Sequence, residues 1–384
     1  MMKNQISSEI HLFILWENAR YKEWQIIEDI KNNFKILGLY EINWSKEKFS
    51  ENLSRFYGRK LPVGSNKEKH CGVGPFLLIV VEDYSPKYMQ RKTSKGVEIV
   101  NIKTFDSKSK YREWTGGGHK IHCTNSKKET DHDLTLLLGV NSCDYKKSKK
   151  DFSSKEVIKL NSDIVGSKGW KNIRELFYVL NNTIEYVVLR NFECLPDQYN
   201  MENHGDIDIL SNNLIDMIWI MNGEKVFRPK YRVQYKVNIG GEVVLFDCRY
   251  VGDNYYDINW EKNILNNRVI VEDTFYAPNT YEYYYSLLYH AIIHKRKVPS
   301  DYIFQLWKMC EKVGINELDI KDFSEIKNMK NQLELFMESK GYNYTEPIDL
   351  SVFFNKNIIG TKISLNRWIN ENIFKRINSL INKV

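Results

Sequence analysis

Two carboxylates stand one residue apart inside a short apolar run, His204-Gly-Asp-Ile-Asp-Ile-Leu210. Along a β-strand successive side chains alternate between faces. Asp206 and Asp208 therefore share a face, while Ile207, Ile209 and Leu210 supply apolar contacts. Such a pair suits a hard divalent cation. Magnesium is usually held by one or two carboxylates plus substrate phosphates, so phosphate chemistry is the expected use. The plainer reading of Asp-x-Asp is a solvated turn, and the surrounding elements weigh against it. A helical pattern over Ile173–Leu180 leads to a strand, Tyr186-Val-Val-Leu-Arg190, and then to a polar loop containing Pro196. After the acidic pair come a short helix, Asn213–Met221, and a strand, Glu242-Val-Val-Leu-Phe-Asp247, that ends on a third carboxylate.

That order of helix, strand, loop, Asp-x-Asp strand, helix and Asp-bearing strand resembles the core of the polymerase-β-type nucleotidyltransferase superfamily. Within it the chain is most similar to the branch of LicD-like and fukutin-like phosphotransferases. The resemblance implies that Asp206, Asp208 and Asp247 bind Mg²⁺ or Mn²⁺. Where that superfamily carries a Gly-Ser or Gly-Gly turn for phosphate, this chain has Leu189-Arg190-Asn191. A guanidinium fork at Arg190 matches phosphate geometry, and Arg249 is the second candidate for offsetting phosphate charge.

The front of the chain alternates strands and helices. Strands are expected at His11–Trp16, Lys35–Ile42 and Gly74–Glu82, and helices at Trp24–Phe34 and Lys46–Tyr57. A loop rich in Lys and Arg follows, then Gly118-His-Lys-Ile-His-Cys-Thr-Asn-Ser126 and a helix over Lys127–Leu138. This rhythm predicts a ferredoxin-like α/β sandwich. The segment from His119 to Ser126, followed by Glu129 and Asp133 on a helix, is similar to nucleoside diphosphate kinase. The resemblance places His122 as the histidine that is transiently phosphorylated, with Arg91, Arg112 and His119 as phosphate-binding candidates. Neutral imidazole is a competent nucleophile near neutral pH, and a partner on one nitrogen fixes the tautomer. The chain departs from that family after its first strand, where Trp16-Glu17-Asn18-Ala19 replaces Lys-Pro-Asp-Gly.

A length of 384 residues allows two domains, each with its own core. The charged run Tyr145–Glu156 lacks apolar periodicity and reads as a linker. The expected organisation is an α/β (α+β) chain. It comprises a kinase-like domain over 1–141, a linker over 142–160, a nucleotidyltransferase-fold core over 161–278 and a helical region over 279–384. The six cysteines are scattered without a Cys-x-x-Cys pair, which argues against a zinc site or a disulfide framework and fits a reducing cytoplasm. No signal peptide is evident, and no apolar run approaches the roughly 18 residues of a membrane span. The formal net charge of +7 is modest and is not gathered into a nucleic-acid-binding motif.

Toward the end, Tyr281–Lys295 forms an aromatic and aliphatic helical run expected to cover the catalytic sheet. His290 and His294 lie four apart on one face. With no neighbouring Glu to complete a zinc motif, they read as packing residues, leaving His294 or Lys295 to touch substrate phosphate. Asp253 and Asp257 are candidate substrate or base residues in what reads as a solvated loop. Residues 365–384 have the pattern of a basic amphipathic helix, which serves equally for contact with an anionic leaflet or for docking on the protein.

These readings combine into an expectation of a metal-dependent phosphotransferase. It would move a phospho-alcohol or polyol from a nucleotide-activated donor to a sugar hydroxyl in surface-glycan assembly, from the cytoplasm or the inner membrane face. The alternatives are NMP transfer from an NTP to a small phosphate or protein substrate, and a nucleotide-binding regulatory protein without turnover.

Overall fold

The computed structural model describes residues 8–93, 96–148, 156–199, 205–226, 232–315, 326–360, 362, 364–369 and 373. His204 and most of the basic C-terminal segment lie outside them. The architecture is mixed α and β, divided into two compact units: Met1–Ile184 with Ile215–Asn222, and Glu185–Leu214 with Gly223–Val384.

The first unit runs β1 (Glu9–Leu15), α1 (Glu23–Asn33), β2 (Lys35–Ile42), α2 (Phe49–Phe56), α3 (Asn66–Cys71) and β3 (Phe76–Asp83). It continues with β4 (Tyr88–Thr93), β5 (Gly96–Asn101), α4 (Ile102–Trp114), β6 (Ile121–Cys123), α5 (Lys127–Leu138), α6 (Ser142–Ser148), β7 (Ile158–Leu160) and α7 (Ile173–Thr183). The excursion α8 (Leu214–Met221) also belongs to it. Its main sheet has the order β6-β1-β3-β2-β7, antiparallel except for the last pair. Every residue of β3 is buried, as a strand covered on both faces requires. On one face Phe13, Leu15, Ile79 and Val81 pack with Ile26, Ile27 and Ile30 of α1 and Tyr111 of α4. The spacing of the three isoleucines puts them on one helical stripe.

Two expectations for this unit are corrected. The segment read as a Lys- and Arg-rich loop holds the β4–β5 hairpin and the 13-residue helix α4. Charged residues surround α4, so no apolar stripe announces it. Its start is fixed instead by Asn101, whose side chain accepts from the Lys103 and Thr104 backbone N–H groups. The run read as a linker is partly structured, because Ser142–Ser148 is helical and Ile158–Leu160 pairs parallel to Tyr40–Ile42.

The second unit contains β8 (Tyr186–Val188), β9 (Ile207–Ser211), β10 (Glu224–Lys225), β11 (Gln234–Ile239), β12 (Glu242–Tyr250) and α9 (Ile258–Asn266). The small hairpin β13 (Val269–Val271) and β14 (Phe275–Ala277) follows, then α10 (Thr280–Ile293), α11 (Ser300–Cys310) and α12 (Ile326–Lys340). The sheet order is β10-β11-β12-β9-β8. The acidic strand β9 lies inside the sheet, antiparallel to the edge strand β8 and parallel to β12. Helix α10 is the core of the unit: Tyr284, Leu288 and Ile292 pack with Trp260, Ile264, Leu306 and Leu333. Asn279 caps it by accepting from the Glu282 N–H at 2.9 Å.

Among the described residues no helix is long and apolar enough to cross a membrane. The amphipathic reading of the C-terminal segment falls mostly outside them. One residue of that segment departs from it: Arg367, expected on the polar face, is fully buried and held by Glu346 and by the carbonyls of Val352 and Pro347.

Candidate functional site

In the second unit the parallel pairing of β9 and β12 sets Asp208 directly beside Asp247. Paired residues of adjacent strands project to the same side, and Asp206, in the bend just before β9, borders the same cleft. All three carboxylates line one cleft of about 420 Å³, together with Arg190, Arg249, Tyr255, His290, His294 and Lys295. The solvated-turn reading is thereby overturned for Asp208, which is buried on β9.

Two carboxylates are gripped by arginines. Arg190 donates from Nη2 to Asp208, and from the same nitrogen to the Tyr255 hydroxyl at 3.0 Å. Arg249 reaches Asp247 at 2.7 Å, Asp349 at 3.3 Å and Asp253 at 3.9 Å. Its guanidinium also lies 4.5 Å from the centre of the Tyr255 ring. Asp206 receives a weaker donation from Gln234 Nε2 at 3.4 Å. Burial pushes the Asp208 carboxyl up to about 7, with Arg190 opposing and the neighbouring Asp247 and Asp206 reinforcing the rise. Repulsion among carboxylates that share a cleft is what a divalent cation relieves. Among the described residues, however, no group of three or more His, Cys, Asp or Glu side chains is spaced to enclose a metal ion. The three carboxylates converge on one cleft without forming a metal cage.

The sequence pattern sets Arg190 against phosphate in place of a glycine turn. In the fold its Nη2 is committed to Asp208 and Tyr255, and its Nη1 has no partner among the described residues. The histidines of α10 are buried, as packing residues would be, yet both border the cleft. Tyr255 hydroxyl and His290 Nδ1 are 2.7 Å apart. Because Arg190 already donates to that oxygen, the hydroxyl proton points to Nδ1, and His290 carries its own proton on Nε2. Burial, followed by the positive charge of Arg190, lowers the pKa values of both His290 and His294 well below the ordinary range.

Asp253 and Asp257 do not lie in a solvated loop. Asp257 caps α9 through the Asn259 N–H and also accepts from the Asn343 N–H. Asp253 accepts from the Tyr255 N–H at 2.9 Å and neighbours Glu261. Sequence reasoning missed Tyr255, Arg232, Arg296, Asp349 and Ser351. Asp349 stands 100 residues from Arg249, its partner in the cleft, and no spacing signal could have linked the two.

In the first unit His122 sits on β6 opposite Ile14, where its Nε2 meets Asp133 Oδ2 at 2.6 Å. The carboxylate fixes the Nε2–H tautomer and leaves the lone pair on Nδ1. His132 also approaches Asp133, at 2.9 Å. Glu129 serves the local backbone, since its carboxylate accepts the Asn125 N–H while Ser126 caps α5 through the Glu129 N–H. Arg112 donates twice to the Ile121 carbonyl, next to His122. Arg91 lies on the hairpin with Asp106 at 4.0 Å, and no contact joins it to His122 among the described residues. His119 is pushed down to about 4 by burial and by the charges of Lys67 and Arg112, so it stays neutral at physiological pH. Two neighbours were missed. The Tyr57 ring lies 5.8 Å from that of His122, and the Lys67 ammonium lies 3.7 Å from the centre of the Tyr57 ring.

No protein-family model matches the chain. No curated protein matches it either. Among solved structures it is similar to the nucleoside diphosphate kinase of Aquifex aeolicus, with 17% identity over 40% of this chain and the whole of that one. The TM-score is 0.24, and a likeness that slight decides neither fold nor activity.

Proposed function

We propose that the second unit is a metal-dependent phosphotransferase of the nucleotidyltransferase fold. It would transfer a phosphorus-containing group from a nucleotide-activated donor to a sugar hydroxyl, as in surface-glycan assembly. One observation carries the reading: Asp208 and Asp247 are register partners on parallel strands, and Asp206 faces the same cleft. Their hard-oxygen donors suit Mg²⁺ or Mn²⁺ shared with substrate phosphates, which needs fewer protein ligands than a closed cage. The bound metal would supply charge neutralisation on the phosphoryl oxygens. Arg190 and Arg249 already stand against the carboxylates, and the same guanidinium groups suit a phosphate that enters between them. The neutral Nε2–H of His290 is a further donor in this environment.

For the first unit we propose a nucleotide-binding module with the ferredoxin-like fold of nucleoside diphosphate kinases. Its strand order β6-β1-β3-β2 and the His122–Asp133 pair support this reading.

A second reading, a nucleotide-binding protein without turnover, is favoured by the grip of Arg190 on Asp208. Mn²⁺ paramagnetic resonance separates the two. The catalytic reading expects CDP-dependent capture of Mn²⁺, lost in Asp208→Asn. Equal capture by the variant, or none by the native chain, refutes it.

A further inference from the structure

The cations of the cleft fall into two sets. Arg190 and Arg249 are matched by Asp208, Asp247, Asp253 and Asp349. Arg232, Lys295 and Arg296 border the same cleft, yet none has a carboxylate within ion-pair distance among the described residues. Among the described residues Arg232 donates to the Ser351 hydroxyl alone, at 2.7 Å. Arg296 lies with its guanidinium 4.9 Å from the centre of the Phe353 ring, a contact that leaves its charge unneutralised.

A helix end offers a simpler account of two of these cations, since Lys295 and Arg296 follow the C-terminus of α10. That end supplies about half a negative charge. Three cations therefore bring more than two positive charges to the lining of the cleft. A phosphate monoester carries nearly that charge near neutral pH, and guanidinium and ammonium donors are the groups that bind it.

We propose that Arg232, Lys295 and Arg296 form a phosphate-monoester subsite, so that the acceptor of the cleft is a phosphorylated sugar and not a neutral one. The assignment of that anion to the acceptor rests on the phosphotransferase reading, in which the donor diphosphate goes to the metal and the Asp cluster.

Calorimetric titration tests it with three probes: inorganic phosphate without metal, glucose 1-phosphate against glucose, and CDP with Mn²⁺. The proteins are the native chain, the double variant Lys295→Gln/Arg296→Gln, and Asp208→Asn. The native chain should bind phosphate and glucose 1-phosphate saturably, and not glucose. Loss of charge-assisted bonds worth roughly 1.5–3 kcal/mol should weaken the double variant about 10- to 100-fold. Asp208→Asn should bind phosphate no more weakly than the native chain, and the double variant should keep its Mn²⁺–CDP affinity. The proposal is overturned if the native chain shows no saturable phosphate binding, or if the double variant binds phosphate as tightly as the native chain. It is also overturned if the double variant loses Mn²⁺–CDP in parallel, because these cations would then serve the donor. Failure of the metal reading has a separate signature, Mn²⁺–CDP binding that is absent from the native chain or survives Asp208→Asn.

Discussion

Replacing Glu261 by Gln should flatten the dependence of stability on pH. Glu261 is fully buried on α9, where its oxygens accept the Gly252 N–H at 2.7 Å and the Tyr256 N–H at 3.1 Å. Burial and the neighbouring Asp253 raise its pKa to about 9, so the folded chain keeps the carboxyl protonated at neutral pH. The unfolded chain releases that proton near the ordinary value of about 4.3. A folded-state pKa above the unfolded one contributes stability that is complete below the unfolded value and is lost as pH rises toward the folded one. The slope approaches about 1.4 kcal/mol per pH unit inside that window, so moving from pH 6 to pH 8 should remove up to about 3 kcal/mol. For a unit of this size that corresponds to a fall in Tm of roughly 6–10 °C. In Glu261→Gln the amide nitrogen can accept neither backbone N–H, which costs about 1 kcal/mol at any pH, but no proton is exchanged. Thermal unfolding followed by near-ultraviolet circular dichroism at pH 6 and pH 8 should give a clearly smaller difference in the variant. Equal pH slopes in the two proteins would refute the reasoning, because Glu261 would then be ionised in the folded state.

Other perturbations have equally definite outcomes. Arg249→Met strands Asp247, Asp253 and Asp349 without their shared cation and should destabilise the chain by about 3–5 kcal/mol in urea unfolding. Gly166 has φ of +74°, and a Cβ there would lie 2.6 Å from the Trp170 ring. Gly166→Ala should therefore cost about 1–3 kcal/mol, read as a lowered denaturation midpoint at unchanged m-value. Asp83 is held below the usual carboxylate range by Asn101 and Lys103, despite the opposing effect of burial. Its contribution is present above the unfolded pKa and is lost as pH falls through the depressed folded value. Asp83→Asn should thus be less stable than the native chain at pH 7 and should close that gap in acid, as followed by unfolding midpoints across the range.

Local pattern alone identified much of this protein. The continuous apolar run of β3 and the isoleucine stripe of α1 fix elements through contacts only a few residues apart, and such contacts are written in the spacing. The alternation at Asp206–Ile209 likewise determined that two carboxylates share a face. It could not determine what faces them. That Asp247 is the register partner of Asp208 follows from a parallel pairing reached through α8, β10 and β11, and parallel partners leave no local mark in the chain. Helix α4 escaped notice because its charged faces carry no period, and Asp253 and Asp257, which do lie in a loop, passed for solvated residues because a buried carboxylate and a solvated one are the same letter. Burial, register and the meeting of Arg249 with Asp349 belong to tertiary structure, since they arise from contacts between segments 100 residues apart and more.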